Sequence, residues 1–407
     1  MIQLSKFPIN TLKSQPKVSD NRSTSLLLQA WLIRQEMAWV YNYLPLWFKV
    51  LKKIENIVRE EMNNSGAFEM LMPALWSKQH WEQTGRWDSI DVLFKVPASG
   101  WKEYALNPTQ EDIVTPLIKE FIQSYKDLEF GVYHIQHKFR NEARAKSGLL
   151  RGREFLMKDL YSFHKNEESF QVYYDNQKEV YTKVFERLGL GGGTYMTLAS
   201  GGDFTDKHSH EFQTVLEIGE DIIYICDDCN TSHNEEIVGD SFVCSNCGST
   251  DHKTHNASEV GNIFPLSTKF TDACGVKYAD EEGKQQSVFM GSYGIGISRV
   301  MWVMAEYFMD ETGIAWPEHL APASHYIIVL WEDNIKQASE LAAQIESEWG
   351  DVILDDRMGR KDWFGQKMWD AELLGIPNII VLSPKTLEKW WYEMRKRWEK
   401  EGKIVKL

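Results

Sequence analysis

The sequence predicts an α+β protein: an antiparallel sheet flanked by helices, interrupted by a small cysteine-bearing insertion and followed by an α/β domain. Three observations predict it. β-rich runs such as Gly131-Val132-Tyr133-His134-Ile135-Gln136 stand between amphipathic helical patterns at Glu111 to Ser124 and Glu168 to Leu188. Four of the five cysteines fall into two Cys-x2-Cys pairs. After Pro317 and Pro322 the pattern changes to strand, helix, strand, helix, strand.

In chain order, a polar lead of about 20 residues precedes a helical pattern from Leu26 to Met37. A second helix, Val50 to Met62, runs into Ala67-Phe68-Glu69-Met70-Leu71-Met72-Pro73. The sheet and its helices take residues 1–220 and 256–320, and the insertion takes 221–255. The last domain, 324–407, reads as strands His325 to Leu330, Asp351 to Leu354 and Asn378 to Leu382 around helices Asn334 to Trp349 and Trp363 to Leu374, an alternation that favours a largely parallel sheet.

In the insertion, Cys226-x2-Cys229 and Cys244-x2-Cys247 are separated by 14 residues. Each pair can set two thiolates on one knuckle, and two knuckles complete a tetrahedral Zn²⁺ site with no open position, hence a structural one. A pair of disulfides is the alternative and needs an oxidising compartment. No apolar run reaches 18 residues and no cleavable signal is visible, so the expectation is a soluble, cytoplasmic chain with no membrane partner. Cys274 stands apart and reads as a buried thiol. The net charge of −14 excludes a protein coated in basic residues, so any RNA contact must be local. Lys385, Lys389, Arg395, Lys396, Arg397, Lys400, Lys403 and Lys406 offer one such stretch, with a solvated helix face as the equal alternative.

Two arginine-bearing segments carry the chemistry. Phe139-Arg140-Asn141-Glu142 sets a cation and an acid two residues apart, on one face if extended. Gly291-Ser292-Tyr293-Gly294-Ile295-Gly296-Ile297-Ser298-Arg299 is a Gly-rich strand running into a helix with a cation on its first turn. An arginine neutralises an α-phosphate under attack through planar, bidentate hydrogen bonds, and Glu142 can accept from an exocyclic amine. Between them, Arg151 offers a cation for outer phosphates and Phe155 an aromatic face for a base. Any one of these residues alone reads more readily as a surface ion pair or a core aromatic; their joint occurrence in this order favours a nucleotide site.

These residues carry a resemblance. Phe139 to Glu142 and Gly291 to Arg299 are similar to motifs 2 and 3 of class II aminoacyl-tRNA synthetases, and the helix from Val50 with Ala67 to Pro73 to motif 1. Arg151 to His164 (RGREFLMKDLYSFH) resembles the signature of the bacterial prolyl family within that class, and the likeness extends from about Phe7 to the C-terminus. It implies a class II catalytic core, a zinc-ribbon-like insertion and a C-terminal anticodon-binding domain marked by Asp355-Asp356-Arg357 and Leu374-Gly375-Ile376-Pro377. It further implies ligation of proline to tRNA(Pro) with ATP and Mg²⁺, and a homodimer. Carried over by motif, Arg140 and Arg299 are the catalytic cations. Arg140, Glu142, Arg151, Phe155 and Arg299 hold ATP. Thr109 and Glu111 in Asn107-Pro108-Thr109-Gln110-Glu111 hold the substrate ammonium, and Arg140 its carboxylate. Phe163, His210 and Ser292 line the ring pocket, and Glu211 is a candidate Mg²⁺ contact. The competing readings are a catalytically silent synthetase-like tRNA-binding or accessory protein, and a threonyl enzyme.

Two departures from the prolyl pattern stand out. Where long bacterial members carry a large domain that hydrolyses alanyl-tRNA, only the cysteine segment and short connections occur, so editing in cis is expected to be absent and some alanine to be activated. The chain also holds 16 tryptophans, of which Trp31, Trp39, Trp47, Trp302, Trp363 and Trp369 stand where the family usually has Gly. The reading is that UGA codons meaning glycine have been rendered as Trp; the alternative is drift with compensating space.

Overall fold

The computed structural model describes residues 1–16, 21–142, 150–359, 363–384, 388, 391–399 and 401–406. The chain forms two compact units, Met1–Lys53 with Met304–Leu407, and Ile54–Val303.

The first unit is built on a six-stranded sheet, β1-β19-β18-β20-β21-β22. Its strands are β1 (Ile2–Gln3), β18 (His325–Val329), β19 (Val352–Asp355), β20 (Asn378–Leu382), β21 (Trp391–Lys396) and β22 (Lys403–Lys406). The first four strands in that order pair in parallel and the last two antiparallel. Helices α8 (Ile335–Trp349) and α9 (Phe364–Leu374) belong to the same unit, and Ile327, Val329, Leu341, Ile345, Leu354 and Ile380 form its core. The alternation read after Pro322 is therefore realised. What the sequence did not reveal is that β1, within the polar lead, adds an edge strand beside β19. Nor do Arg395, Lys396, Arg397, Lys403 and Lys406 lie on a helix: Arg395 pairs with Glu372, Arg397 with Asp310 and Lys396 with Glu318, so these three are engaged internally. Lys385, Lys389 and Lys400 lie outside the described residues.

In the same unit, the helical pattern from Leu26 to Met37 is corrected. Helix α1 (Arg22–Gln29) stops, and a hairpin of β2 (Ile33–Met37) and β3 (Val40–Tyr43) follows. At the end of α1, Leu32 N donates to Leu27 O (3.0 Å) and Trp31 N to Leu28 O (3.3 Å), the paired bonds of a helix terminus whose penultimate residue is left-handed. Trp31 has φ 59° and Trp39, in the bulged hairpin turn, φ 66°. Both slots favour glycine, because a Cβ meets the following carbonyl at a cost of roughly 1–2 kcal/mol. Gly375 occupies the equivalent slot after α9 at φ 74°, where a Cβ would lie 1.9 Å from Ile314 O.

Trp47, Trp302 and Trp369 are helical, and Trp363 is 64% exposed at φ −78°, so backbone geometry gives no reason for glycine at these four. Trp31→Gly and Trp39→Gly are accordingly each expected to raise stability by about 1 kcal/mol, read as a higher urea midpoint, the gain at Trp31 being net of the lost Trp31–Arg34 cation–π contact. Trp47→Gly should lower stability by roughly 3–5 kcal/mol, since that ring is fully buried against Trp316. A lowered midpoint for both Trp31→Gly and Trp39→Gly overturns the glycine reading at those positions, and UGG codons there would end it.

The second unit carries a nine-stranded, mainly antiparallel sheet in the order β11-β10-β13-β12-β14-β17-β9-β8-β4. These strands are β4 (Phe68–Glu69), β8 (Phe130–Phe139), β9 (Glu154–His164), β10 (Thr194–Ala199), β11 (Ser209–Val215), β12 (Asp221–Cys226), β13 (Ser232–Asn234), β14 (His252–Ser267) and β17 (Phe289–Ile295). Helix α5 (Glu167–Arg187) covers one face. Asn166 caps it by accepting from Ser169 N (2.8 Å), and its stripe Phe170, Tyr174, Tyr181 and Phe185 packs on the sheet, each buried side chain contributing roughly 1.5–3 kcal/mol. The opposite face meets α3 (Lys78–Gln83), α4 (Glu111–Ile118), α6 (Lys269–Ala273) and the small sheets β5-β7-β6 (Leu75–Ser77, Glu103–Leu106, Phe94–Pro97) and β15-β16 (Lys277–Ala279, Gln285–Ser287) around a core that includes Trp81, Ile113, Tyr161, Phe163, Phe270 and Met290. The predicted helices are present with shifted ends: α4 stops at Ile118, and α2 (Pro45–Asn64) and α7 (Ile297–Tyr307) complete the set.

Candidate active site

The site is a consequence of period-two alternation. Registers across five strands align Glu211, Asn262, Gly294, Asp159 and His134 in one row on the face opposite α5. The next row toward β4 holds Ser292 opposite Tyr161. Running back along β8 from Arg140, the same face carries Lys138, Gln136 and His134, polar residues at alternate positions of a strand. That pattern was readable in the sequence and was missed.

Beneath the arginine lies a closed ionic cluster. Lys138 Nζ is 2.6 Å from Asp159 Oδ2 and 2.8 Å from His134 Nε2, and all three side chains are buried. Burial lowers the pKa of Lys138 and of His134. Burial alone would raise Asp159, yet Lys138 and His134 hold it well below the usual carboxylate range. The strand end is thus anchored by a paired charge.

Arg140 leaves β8 half-buried, its Nε and Nη2 each 3.4 Å from Pro108 O and its Cζ 5.2 Å from the centre of the Phe155 ring. Burial, and then the charge of Arg299, push the Arg140 guanidinium below its usual value, so the two cations feel each other. Arg299, on the first turn of α7, donates to Leu150 O (3.0 Å) and to the Glu259 carboxylate (3.1 Å). Arg151 Nε lies 3.3 Å from Glu220, and Nη1 4.0 Å from Glu142. Arg151, Glu211, Glu220, Asp221, Glu259 and Arg299 share an open polar cavity of about 320 Å³. Glu211 accepts from Gln213, Asn234 and Asn262, and its carboxyl is pushed up to about 8 by burial and by the Glu259 charge beside it. Glu259 was not singled out in the sequence.

Toward β4 the groups turn from anion-binding to cation-binding. Glu111 is buried; Ser292 Oγ donates to it at 2.9 Å and Thr109 Oγ1 also donates to it. Tyr161 Oη accepts from Gln110 N (3.1 Å), and Gln136 ties Asn107 (3.1 Å) to this loop. Phe163 is fully buried in the core behind Tyr161. His210 is a correction: its neighbour Glu211 faces the site, so alternation turns His210 to the α5 side, where Nδ1 lies 2.9 Å from Tyr174 Oη and burial lowers its pKa to about 4.

The four cysteines of the two knuckles also come together. Their sulfurs all lie within 4.8 Å of one another, with Cys226–Cys247 and Cys229–Cys244 at 3.5 Å, and none is in a disulfide. Cys274 is buried elsewhere, its thiol pushed up to about 11 by burial.

An antiparallel sheet with one arginine at a strand end and another on the helix after a Gly-rich strand defines a class II aminoacyl-tRNA synthetase core, and residues 94–308 match the family described as tRNA synthetase class II core domain (G, H, P, S and T). A proline–tRNA ligase of Bradyrhizobium diazoefficiens is 34% identical over 425 residues, covering 97% of this chain and 96% of that protein. One of Agrobacterium fabrum is 32% identical over 438 residues, covering 99% and 98%. The chain belongs to the proline–tRNA ligase family, of the bacterial type. In fold it is similar to the prolyl-tRNA synthetase of Giardia lamblia solved in complex with prolyl-adenylate, with TM-score 0.76 at 17% identity, covering 94% of this chain and 74% of that one.

Proposed function

We propose that the cleft between Arg140 and Glu111 is where this proline–tRNA ligase activates proline with ATP and passes it to the 3′ end of tRNA(Pro). The observation that carries the reading is the change of character along one sheet face, from paired arginines to a buried, hydroxyl-flanked carboxylate. A zwitterionic amino acid fits across it, its secondary ammonium on Glu111 and Thr109 and its carboxylate toward Arg140. The carboxylate oxygen attacks the α-phosphate, a bond to pyrophosphate breaks, and the terminal adenosine hydroxyl of the tRNA then displaces AMP from the acyl carbon. Arg140 neutralises charge growing on the α-phosphate and Arg299 binds the nucleotide phosphates, so positioning and electrostatics supply the rate without a general base. Phe155 offers the adenine a stacking face, Glu142 an acceptor for its amine, and Arg151 a cation for the outer phosphates. Ser292 holds Glu111, and Phe163 backs the ring pocket. Mg²⁺ would neutralise the phosphates that chiefly hold it, with Glu211 as a nearby carboxylate. A silent relative would be expected to lack one of Arg140, Glu142 and Arg299; all three are present.

Four sulfurs within 4.8 Å suit one Zn²⁺, since Zn–S bonds of about 2.3 Å set tetrahedral S–S edges near 3.8 Å. This supports the ribbon as a closed structural site, distinct from the mixed-ligand pocket zinc of a threonyl enzyme. The C-terminal α/β sheet of the first unit is read as the anticodon-binding domain. Phe68 and Leu71, 66% and 76% exposed on and just after β4, are read as part of a surface for a second copy, a two-fold homodimer. No described helix is long and apolar enough to cross a membrane.

The test is an amino-acid panel in pyrophosphate–ATP exchange. Proline should support exchange. Alanine should support it weakly, being smaller than the pocket and separated by only about 1–3 kcal/mol per missing methylene. Exchange driven by another amino acid in preference to proline would overturn the assignment.

A further inference from the structure

Next to Glu111 in the chain stands a second buried carboxylate, Asp112, that the reaction does not use. We propose that Asp112 is a positioning residue for substrate recognition: by holding Arg86 it keeps that cation off Glu111 and leaves Glu111 open to the substrate ammonium. The proposal rests on the reading of Glu111 as the ammonium acceptor.

The distances set the argument. Arg86 Nη1 is 2.6 Å from Asp112 Oδ2 but 3.8 Å from Glu111 Oε2. The Thr84 hydroxyl donates to the other Asp112 oxygen, so both oxygens of Asp112 are satisfied. Among the described residues, Glu111 accepts its side-chain hydrogen bonds from the neutral hydroxyls of Thr109 and Ser292. Arg86 is packed against the rings of Phe204 and Phe270, its Cζ 5.1 and 5.3 Å from their centres. Two buried carboxylates therefore share the Arg86 guanidinium unequally, Glu111 at the longer distance, and a buried carboxylate without a close cation is unfavourable until one arrives. A secondary ammonium supplies that cation at Glu111. Were Asp112 neutral, Arg86 would have Glu111 as its remaining anionic partner and would compete with the substrate.

Protonation of Asp112 should have the same effect as neutralising it by mutation. The groups facing it are Thr84 and Arg86 from the segment after α3, Glu111 from the start of α4 and Lys119 from its end, and Cys274 from the end of α6. Burial outweighs Arg86 and Thr84 and pushes Asp112 up to about 6. As pH falls through that value Asp112 is neutralised, Arg86 is released toward Glu111, and the KM for proline should rise.

Asp112→Asn keeps the shape of the side chain. The expected result in pyrophosphate exchange is a proline KM raised about tenfold or more, equivalent to at least ~1.4 kcal/mol, with the KM for ATP unchanged. Adding Arg86→Gln should bring the proline KM back toward wild type, a rescue that a purely structural role would not give. The low-pH rise in proline KM should vanish in Asp112→Asn. Should that variant fail to fold, Thr84→Val serves: losing a bond to the ionised carboxylate raises the Asp112 pKa and moves the rise to higher pH. An unchanged proline KM in Asp112→Asn, a rise that Arg86→Gln does not relieve, or an unmoved profile in Thr84→Val overturns the proposal. Glu111→Gln separates it from the underlying reading. If Glu111→Gln leaves proline KM unchanged the ammonium assignment itself fails, whereas loss there with no effect at Asp112 sinks only the inference.

Discussion

Arg140→Ala is expected to abolish proline-dependent exchange of pyrophosphate into ATP, a fall of at least about 10³-fold in kcat/KM, while leaving the melting temperature nearly unchanged. The two halves of that expectation come from the same geometry. Among the described residues the Arg140 side chain makes only long contacts to Pro108 O, at 3.4 Å, and lies beside Phe155, so its removal breaks no strong bond among them. The field of Arg299 disfavours its charge in the free protein, and relief of that repulsion by a bound polyphosphate is binding energy directed at the reacting phosphorus. The cluster of Lys138, Asp159 and His134 beneath it stays intact, so neighbouring backbone should not collapse. Arg140→Lys should recover only part of the rate, because a point charge cannot form the planar pair of bonds. Exchange within tenfold of wild type in Arg140→Ala would remove the central role given to this residue.

What was legible in the sequence follows where the physics is local. The rows of the site were readable because strand alternation fixes which residues share a face, and Arg140, Ser292 and Tyr161 fall where alternation sends them. The same rule, applied to β11, would have sent His210 away from the pocket once Glu211 was assigned to it. The hairpin after α1 was read as helix because Trp31 and Trp39 carry no turn signal in their own residue type; the resemblance marks both as glycine positions, but periodicity holds no trace of it. Arg86 and Asp112 were not anticipated because their importance lies in a 2.6 Å against a 3.8 Å separation across different elements, which no periodicity encodes. The strand β1 escaped for the same reason, its partner β19 being some 350 residues away in the chain.

On the proposal that Cys226, Cys229, Cys244 and Cys247 hold Zn²⁺, removing it should have an effect second only to loss of Arg140, and through a different route. Structural zinc in isolated fingers is worth about 10–16 kcal/mol of apparent folding free energy at neutral pH, so a knuckle pair without it is expected to unfold locally. Here the ribbon is not a detachable appendage. Cys226 is the last residue of β12, which pairs with β13 and β14 in the main sheet, and Glu220, Asp221 and Ile222 from that segment line the cavity holding Arg151 and Arg299. The Arg151–Glu220 pair and the Gln213–Asp221 hydrogen bond tie that wall to its neighbours. Chelation, or Cys229→Ser with Cys247→Ser, should therefore open residues 227–250 to protease and lower exchange by about tenfold through the nucleotide side, raising the KM for ATP more than that for proline. Because four thiolates leave no open position, Co²⁺ in place of Zn²⁺ should restore protection and rate alike while giving the absorption of a tetrahedral thiolate site. A preparation that binds no metal yet resists proteolysis in this segment would refute the structural zinc, and a cobalt form that is folded but inactive would instead give the metal a part in the chemistry that this geometry denies it.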